Sequence, residues 1–454
     1  MIDIKNLREN PEIYRKNQRK RNLDSSEIDR VLSLDKEWRN YKQQADNLRA
    51  ERNKISEEIN QAKKSGKNVS NLIKMAKEIP RKLEEVQNKE KGIFENLKKQ
   101  LYKIPNLLDD SVPLGKDDTE NIVVKTWGKK TKHAFRAKSH VDIIQDLDLV
   151  DMERAAKISG ARFYYLKNEL VILNQAIMRF ALDFLRKKDF TVVHPPYMMN
   201  KSAYEGAVSL DQFEETLYKI ENEDLYLIAT AEHPLDEMHS GEVLNFSQLP
   251  LNYAGISPCF RKEAGSHGKD TKGIFRVHQF DKVEQFAICK PEDSSKIMEK
   301  FLKNSEEFFQ ALEIPYRVVN VCSGDISKRD SKQYDIEAWM PAQNAYREVV
   351  TCDNCTNWVS MRSNIKFDDR GKKDFVHTVD CTLVANPRAI VAILENHQQK
   401  DGSIKIPKAL WKYAGFREIK SEGSPASTKR IAPEEKNKKN QKKKDENKKS
   451  KRKR

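Results

Sequence analysis

The chain has 454 residues, 38% of them hydrophobic, and 84 Lys and Arg against 69 Asp and Glu give a formal net charge of +15. That length supports two or three domains with a sizeable core. No apolar run approaches the ~20 residues that a membrane span requires, and six cysteines in so long a chain do not suggest a disulfide framework. The opening M-I-D-I-K-N-L-R-E-N carries early acids and no apolar stretch, so neither a signal peptide nor a transit peptide is expected. A cytoplasmic protein with reduced thiols, and no membrane partner, is the default.

In chain order, residues 34–62 carry a heptad seam of Leu34, Trp38, Tyr41, Ala45, Leu48, Arg52, Ile55, Ile59 and Ala62. A second seam follows in Leu72, Ala76, Ile79, Leu83, Val86, Glu90, Ile93 and Leu97. The turn K-K-S-G-K-N-V-S between them holds Gly66 and helix-breaking residues. Two seams with a tight turn predict an antiparallel helical hairpin, a coiled-coil arm over about residues 30–103 and roughly 40 Å long. Pro80 lies inside the second seam, which predicts a kink or a displaced helix start. The outer positions are rich in Lys and Arg, among them Lys54, Lys63, Lys64, Lys67 and Lys74. By themselves such residues describe a solvated helix face.

Asp109 to Thr119 reads as a linker. Lys167 to Lys188 is an amphipathic helix running into a strand over Phe190 to Met199, ended by Pro195-Pro196. Phe260 to Phe286 reads F-R-K-E-A-G-S-H-G-K-D-T-K-G-I-F-R-V-H-Q-F-D-K-V-E-Q-F. Here Arg261, Glu263, Arg276 and Glu284 alternate with apolar neighbours, a pattern that predicts a hairpin with guanidinium forks beside carboxylates. Such a site suits an anionic ligand that also carries an amine. Short strands and turns continue to about Cys381, so the fold class is α+β with a mainly antiparallel sheet. From Ser421 to Arg454 there are fourteen Lys or Arg and five Asp or Glu, with almost no large apolar residue. This tail is expected to be disordered and holds most of the chain's attraction for polyanions. Its end, K-S-K-R-K-R, has the composition of a nuclear signal, although such tails also act as RNA-binding appendages.

The string from Phe260 resembles motif 2 of the class II aminoacyl-tRNA synthetases, and the flanking text narrows the resemblance to the seryl-tRNA synthetases. Thr230-Ala231-Glu232 is similar to that family's serine-binding strand, and Tyr346 to Cys355 to its metal- and ATP-binding strand. Asn386 to Gln398 resembles motif 3. The helix and strand ending at Pro195-Pro196 resemble motif 1, the dimer interface. D-C-T-L-V-A-N-P before Arg388 is closer to the eukaryotic form than to the bacterial N-G-S-G run, and Asp380 stands where Asn is usual. The resemblance covers roughly residues 1–418.

The resemblance implies ATP-dependent attachment of L-serine to a serine-accepting tRNA with a long variable arm, through a seryl-adenylate. It leaves open whether selenocysteine tRNA is charged too. It implies a homodimer, with residues 1–110 as the tRNA-binding domain, 111–420 as the catalytic domain and 421–454 as the Lys-rich tail. Arg261, Arg388 and Glu348 carry the catalytic expectation. Serine is assigned to Thr230, Ala231, Glu232, Arg261, Glu284 and Thr382. ATP is assigned to Arg261, Lys262, Glu263, Arg276, Val277, Phe280, Glu348, Val349, Val350, Thr351 and Arg388, with Phe280 stacking on the adenine. Mg²⁺ falls to Glu348 and Thr351, whose oxygens suit a hard cation. The runner-up is a catalytically inactive relative that binds RNA. It would lack Arg261, Arg388 or Glu348, and all three are present. Cys352-x-x-Cys355 is at most half a zinc site, since no second pair follows. No GxxxxGK[ST], GxGxxG or HExxH pattern offers rival machinery.

Overall fold

A computed structural model describes residues 1–263 and 272–420. The expected disordered tail and the tip of the motif 2 loop lie outside the described residues.

Four helices open the chain: α1 (Ile4–Glu9), α2 (Pro11–Lys20), α3 (Ser26–Lys64) and α4 (Ser70–Lys103). Asp3 caps α1 by accepting from Lys5 N at 2.8 Å, and Pro11 starts α2 where no donor is needed. The 39 and 34 residues of α3 and α4 span roughly 58 and 51 Å, longer than the expected arm because both helices continue past the seam into the base. Trp38 meets Phe94 at 5.4 Å, which aligns the pair antiparallel. Ala45, Ile55, Ile79, Leu83 and Leu97 are buried in the seam, whereas Arg52 is exposed. No helix starts at Pro80. The helix begins at Ser70 and runs through it, with Ile79 and Leu83 buried on either side to hold that turn.

At the base of the arm, Leu7, Tyr14, Ile28, Val31, Leu101 and Ile104 pack with Trp358 and Val359 of the second domain. Asp35 is fully buried there and accepts from Arg8 Nε and Nη2, both at 2.9 Å, and from Arg39 Nε at 3.0 Å. Asp35→Ala should unpin α1 from α3 at a cost of about 1–3 kcal/mol. Amide hydrogen exchange should then lose protection over residues 4–20 and keep it in the arm. Unchanged protection over 4–20 would show that apolar packing alone fixes α1.

The second domain is built on eight strands: β1 (Ile122–Trp127), β2 (Thr191–Val193), β3 (Leu251–Phe260), β4 (Gln279–Cys289), β5 (Tyr316–Asn320), β6 (Lys332–Met340), β7 (Ala345–Thr356) and β8 (His377–Ala385). They lie in the order β1-β5-β6-β7-β8-β4-β3-β2, antiparallel throughout except for the parallel β2–β3 edge. Helices α5 (Asn168–Arg186), α7 (Ser294–Ala311) and α8 (Asn386–His397) pack their apolar sides against the sheet, while the short α6 (Glu232–Glu237) stands by the site. In α5, Leu170, Leu173, Ile177, Ala181 and Leu185 are buried at helical spacing. The strand after it is shorter than expected. Pro195 and Pro196 lack N–H donors, and Met198–Met199 pairs instead with Tyr226–Leu227.

The motif 2 hairpin also differs from the expected alternation. β3 ends at Phe260 and β4 starts at Gln279. Arg261 N still donates to His278 O at 2.9 Å, but Lys262 N turns away to Thr216 O at 2.8 Å, so the ladder stops. Arg261, Glu263 and Arg276 therefore project from the mouth of the hairpin, and of the four only Glu284 lies within a strand.

Candidate active site

A cavity of about 330 Å³ opens at the mouth of this hairpin. One wall carries Arg261, Glu263, Phe275, Arg276, Val277 and Phe280, and the facing wall carries Glu348, Val349, Thr351, Thr382 and Arg388. An adjoining chamber of about 230 Å³ shares Glu232, Arg261 and Thr351 and adds Thr230, His233 and Arg329. Arg261 thus lines both compartments.

Three guanidinium groups, those of Arg261, Arg276 and Arg388, line the larger compartment. Arg261 Nε donates to Ala229 O at 3.2 Å, and its guanidinium stands 5.4 Å from the Phe280 ring. Arg276 donates to Glu263 Oε2 at 3.1 Å. Arg388 sits in the first turn of α8 behind Pro387, and donates to Glu348 Oε1 at 2.6 Å and to Glu348 O at 3.1 Å. The ring of Phe275 carries two guanidinium groups, those of Arg347 at 4.5 Å and Arg388 at 5.3 Å. Thr351 Oγ1 donates to Glu348 Oε1 at 3.5 Å.

An acidic cluster lies at the larger compartment, whose lining includes both Glu232 and Asp380. Carboxylate oxygens of Glu232, Glu284 and Asp380 lie within 4.8 Å of one another. Three such charges cannot coexist in a buried site without cations. Lys282 pairs with Glu284, and Arg329 pairs with Glu232 and with Asp380. Burial pushes Glu284 and Asp380 above the usual carboxylate range, with Lys282 and Arg329 respectively working against it. Glu232 goes the other way: burial would raise it, yet Arg329, His233 and Lys282 bring it down to about 2. Burial opposes the charge on Lys282, but Glu284 holds its pKa above the ordinary lysine value.

Thr230 Oγ1 accepts from Glu232 N at 3.1 Å, which places the carboxylate at the start of α6. Four of the residues expected at the site line neither chamber, and one of them, Glu284, is buried with its carboxylate within 4.8 Å of those of Glu232 and Asp380. Lys262 points its ammonium at the Tyr218 ring, 5.7 Å away. Val350 is buried on the core side, because neighbours in a strand alternate and Val349 takes the cavity face. Ala231 is fully buried. Cys352 and Cys355 do not share a site, since three residues along a strand they join different apolar clusters. Phe275, Lys282 and Arg329 were not singled out in the sequence. Lys282 was findable, two residues before Glu284 on the same strand face. Arg329 carries no such signal.

An antiparallel sheet with Arg261 at the mouth of one hairpin and Arg388 on the strand–helix unit facing it defines a class II aminoacyl-tRNA synthetase core. Residues 213–397 match the family described as tRNA synthetase class II core domain (G, H, P, S and T), and residues 1–108 match the seryl-tRNA synthetase N-terminal domain. The chain belongs to the seryl-tRNA synthetase family. It is 52% identical to a serine–tRNA ligase of Thermococcus sibiricus, over 92% of this chain and 97% of that one. It superposes on the crystal structure of seryl-tRNA synthetase from Pyrococcus horikoshii complexed with ATP with a TM-score of 0.88, at 49% identity, covering 92% of this chain and 99% of that one. The cytoplasmic serine–tRNA ligase of Naegleria fowleri in complex with AMP gives a TM-score of 0.83 at 35% identity, covering 93% and 99%. The higher identities are to archaeal proteins, which corrects the eukaryotic grouping expected from the motif 3 text.

Proposed function

We propose that this chain attaches L-serine to a serine-accepting tRNA in two steps, using ATP. The observation that carries the reading is one cavity in which Arg261, Arg276 and Arg388 stand with Glu232 and Asp380, so that the phosphates of a nucleotide and an ammonium can be held side by side. In the first step a serine carboxylate oxygen attacks the α-phosphorus as the bond to pyrophosphate breaks. Arg261 bridges the two reacting groups, and Arg276 and Arg388 receive the phosphate charge. The chain thus acts by positioning and by charge placed in advance, with no nucleophile of its own. In the second step a terminal adenosine hydroxyl of the tRNA takes the seryl group.

Glu232, Glu284 and Asp380 supply the negative charge for the serine ammonium, with Thr230 and Thr382 nearby for its hydroxyl. Once a polar pocket atom is matched to that hydroxyl, alanine is refused by roughly 10⁴-fold, because the atom is otherwise left bare. Glu263, Val277 and Phe280 are assigned to the adenine end. Glu348 and Thr351, whose side-chain oxygens lie 3.5 Å apart, offer the hard donors that Mg²⁺ takes. Bound there, the ion would neutralise part of the triphosphate charge.

Residues 1–110 are assigned to tRNA binding through the arm, 111–420 to catalysis and 421–454 to a basic appendage. Exposed Val171, Ile172, Val192 and Met198 on the motif 1 helix and strands support a homodimer through that face. No described helix is long and apolar enough to cross a membrane, and we assign the protein to the cytoplasm. Nothing favours the inactive RNA-binding alternative, since Arg261, Glu348 and Arg388 line one cavity.

Serine-dependent ATP–pyrophosphate exchange tests the reading. Removing residues 421–454, with their surplus of nine positive charges, should weaken tRNA binding and flatten its salt dependence. Exchange without tRNA should stay at the full-length rate. A collapse of exchange in the truncated protein would refute the assignment of the tail.

A further inference from the structure

The residue that organises the serine side of the site is one that no motif contains. Arg329 lies on the loop before β6 with its side chain only 8% exposed. Its Nη1 reaches Glu232 and, at 3.2 Å, Asp236 Oδ2, while its Nη2 reaches Asp380 Oδ2 at 2.7 Å. Nε and Nη2 also donate to Cys355 Sγ at 3.2 and 3.1 Å, and Nε lies 3.4 Å from Asp330 Oδ1. One rigid fork therefore separates two pocket carboxylates with its two ends and is itself held from behind.

The backbone of this loop is also held, from the base of the arm. Arg21 donates to Ser327 O at 2.9 Å and to Asp330 O at 2.6 Å, and Asn106 Nδ2 donates to Arg329 O at 2.9 Å. Glu232, Asp236, Asp330 and Asp380 surround one guanidinium, so the fork does more than cancel a single charge. Asp380 is the crucial partner. An amide at this place needs no cation, whereas a buried carboxylate 2.7 Å from Arg329 does.

We propose that Arg329 is a positioning residue for serine recognition, which fixes Glu232 and Asp380 at the spacing the serine ammonium requires and makes Asp380 tolerable in the pocket. The inference rests on the serine-activating function proposed above. Arg329 and Asp380 work as a pair, so the cost of losing one should depend on the other.

The test is ATP–pyrophosphate exchange with the full chain, reading KM for serine and for ATP separately. Wild-type exchange with serine comes first, and its failure would sink the functional reading itself. Given that activity, Arg329→Met should raise the serine KM by about 100-fold, since a buried pair loses one partner, and leave the ATP KM within about twofold. Adding Asp380→Asn should recover about tenfold or more of the loss. If Arg329→Met does not fold, Arg329→Lys keeps the charge but cannot span both carboxylates. Its serine KM should rise about tenfold, and Asp380→Asn should again restore part of it. Serine and ATP KM values that rise together, no rise at all, or an Asp380→Asn change that only adds a further defect would each overturn the proposal and leave Arg329 as a charge-neutralising core residue.

Discussion

Arg261→Ala should abolish serine-dependent pyrophosphate exchange, lowering its rate by about 10³-fold or more with the protein still folded. Arg261 lines both chambers, and it is tethered by Nε to Ala229 O at 3.2 Å and backed by the Phe280 ring. In the proposed reaction that tether aims the side chain at the place where the like-charged carboxylate and α-phosphate meet. Two anions brought into contact repel, and the guanidinium offsets that repulsion. The substitution removes a single carbonyl partner at a half-buried position, so the thermal transition should move little. Arg261→Lys separates charge from geometry: the ammonium neutralises but cannot fork between two oxyanions, and a loss of about 10–100-fold is expected. Exchange within about tenfold of wild type in Arg261→Ala would mean that another cation bridges the reacting groups.

Glu284→Ala should have the next largest effect, and on serine alone. Glu284 is 1% exposed and forms an ion pair with Lys282, itself 4% exposed. Removing one partner of such a pair costs about 3–5 kcal/mol, which as lost serine affinity is a KM rise of roughly 10²–10⁴-fold. The variant should also be less stable, because the Lys282 ammonium stays buried without its nearest counter-charge. Adding Lys282→Met separates the two effects. Stability should return, and serine affinity should not. A serine KM that recovers along with stability would make Glu284 a structural residue and move the ammonium site onto Glu232 and Asp380.

The parts of this molecule that are periodic or contiguous were legible in its sequence. The arm was readable because a seam at 4-3 spacing has few meanings besides a helical pair, and the single polar member of the first seam, Arg52, is the one exposed position in it. Strand β8 followed by α8 was readable through the resemblance of Asn386 to Gln398 to motif 3. What could not be read is what tertiary structure decides. Nothing local announces that the helix runs through Pro80, since Ile79 and Leu83 are held there by the facing helix. Nor does the R-x-E spacing show that Arg261 and Glu263 leave the sheet, because Lys262 N finds its partner in Thr216, 46 residues earlier in the chain. Arg329 is the clearest case. Its partners come from α6, β7, β8 and its own loop, and no spacing in one dimension brings them together.

Amino-acid-dependent ATP–pyrophosphate exchange by the full chain, without tRNA and across the twenty amino acids, tests the central claim most directly. The account predicts exchange with serine and with no other amino acid, and none with serine in Arg261→Ala. Exchange driven by a different amino acid, or by none in a folded protein that still binds tRNA, would contradict it.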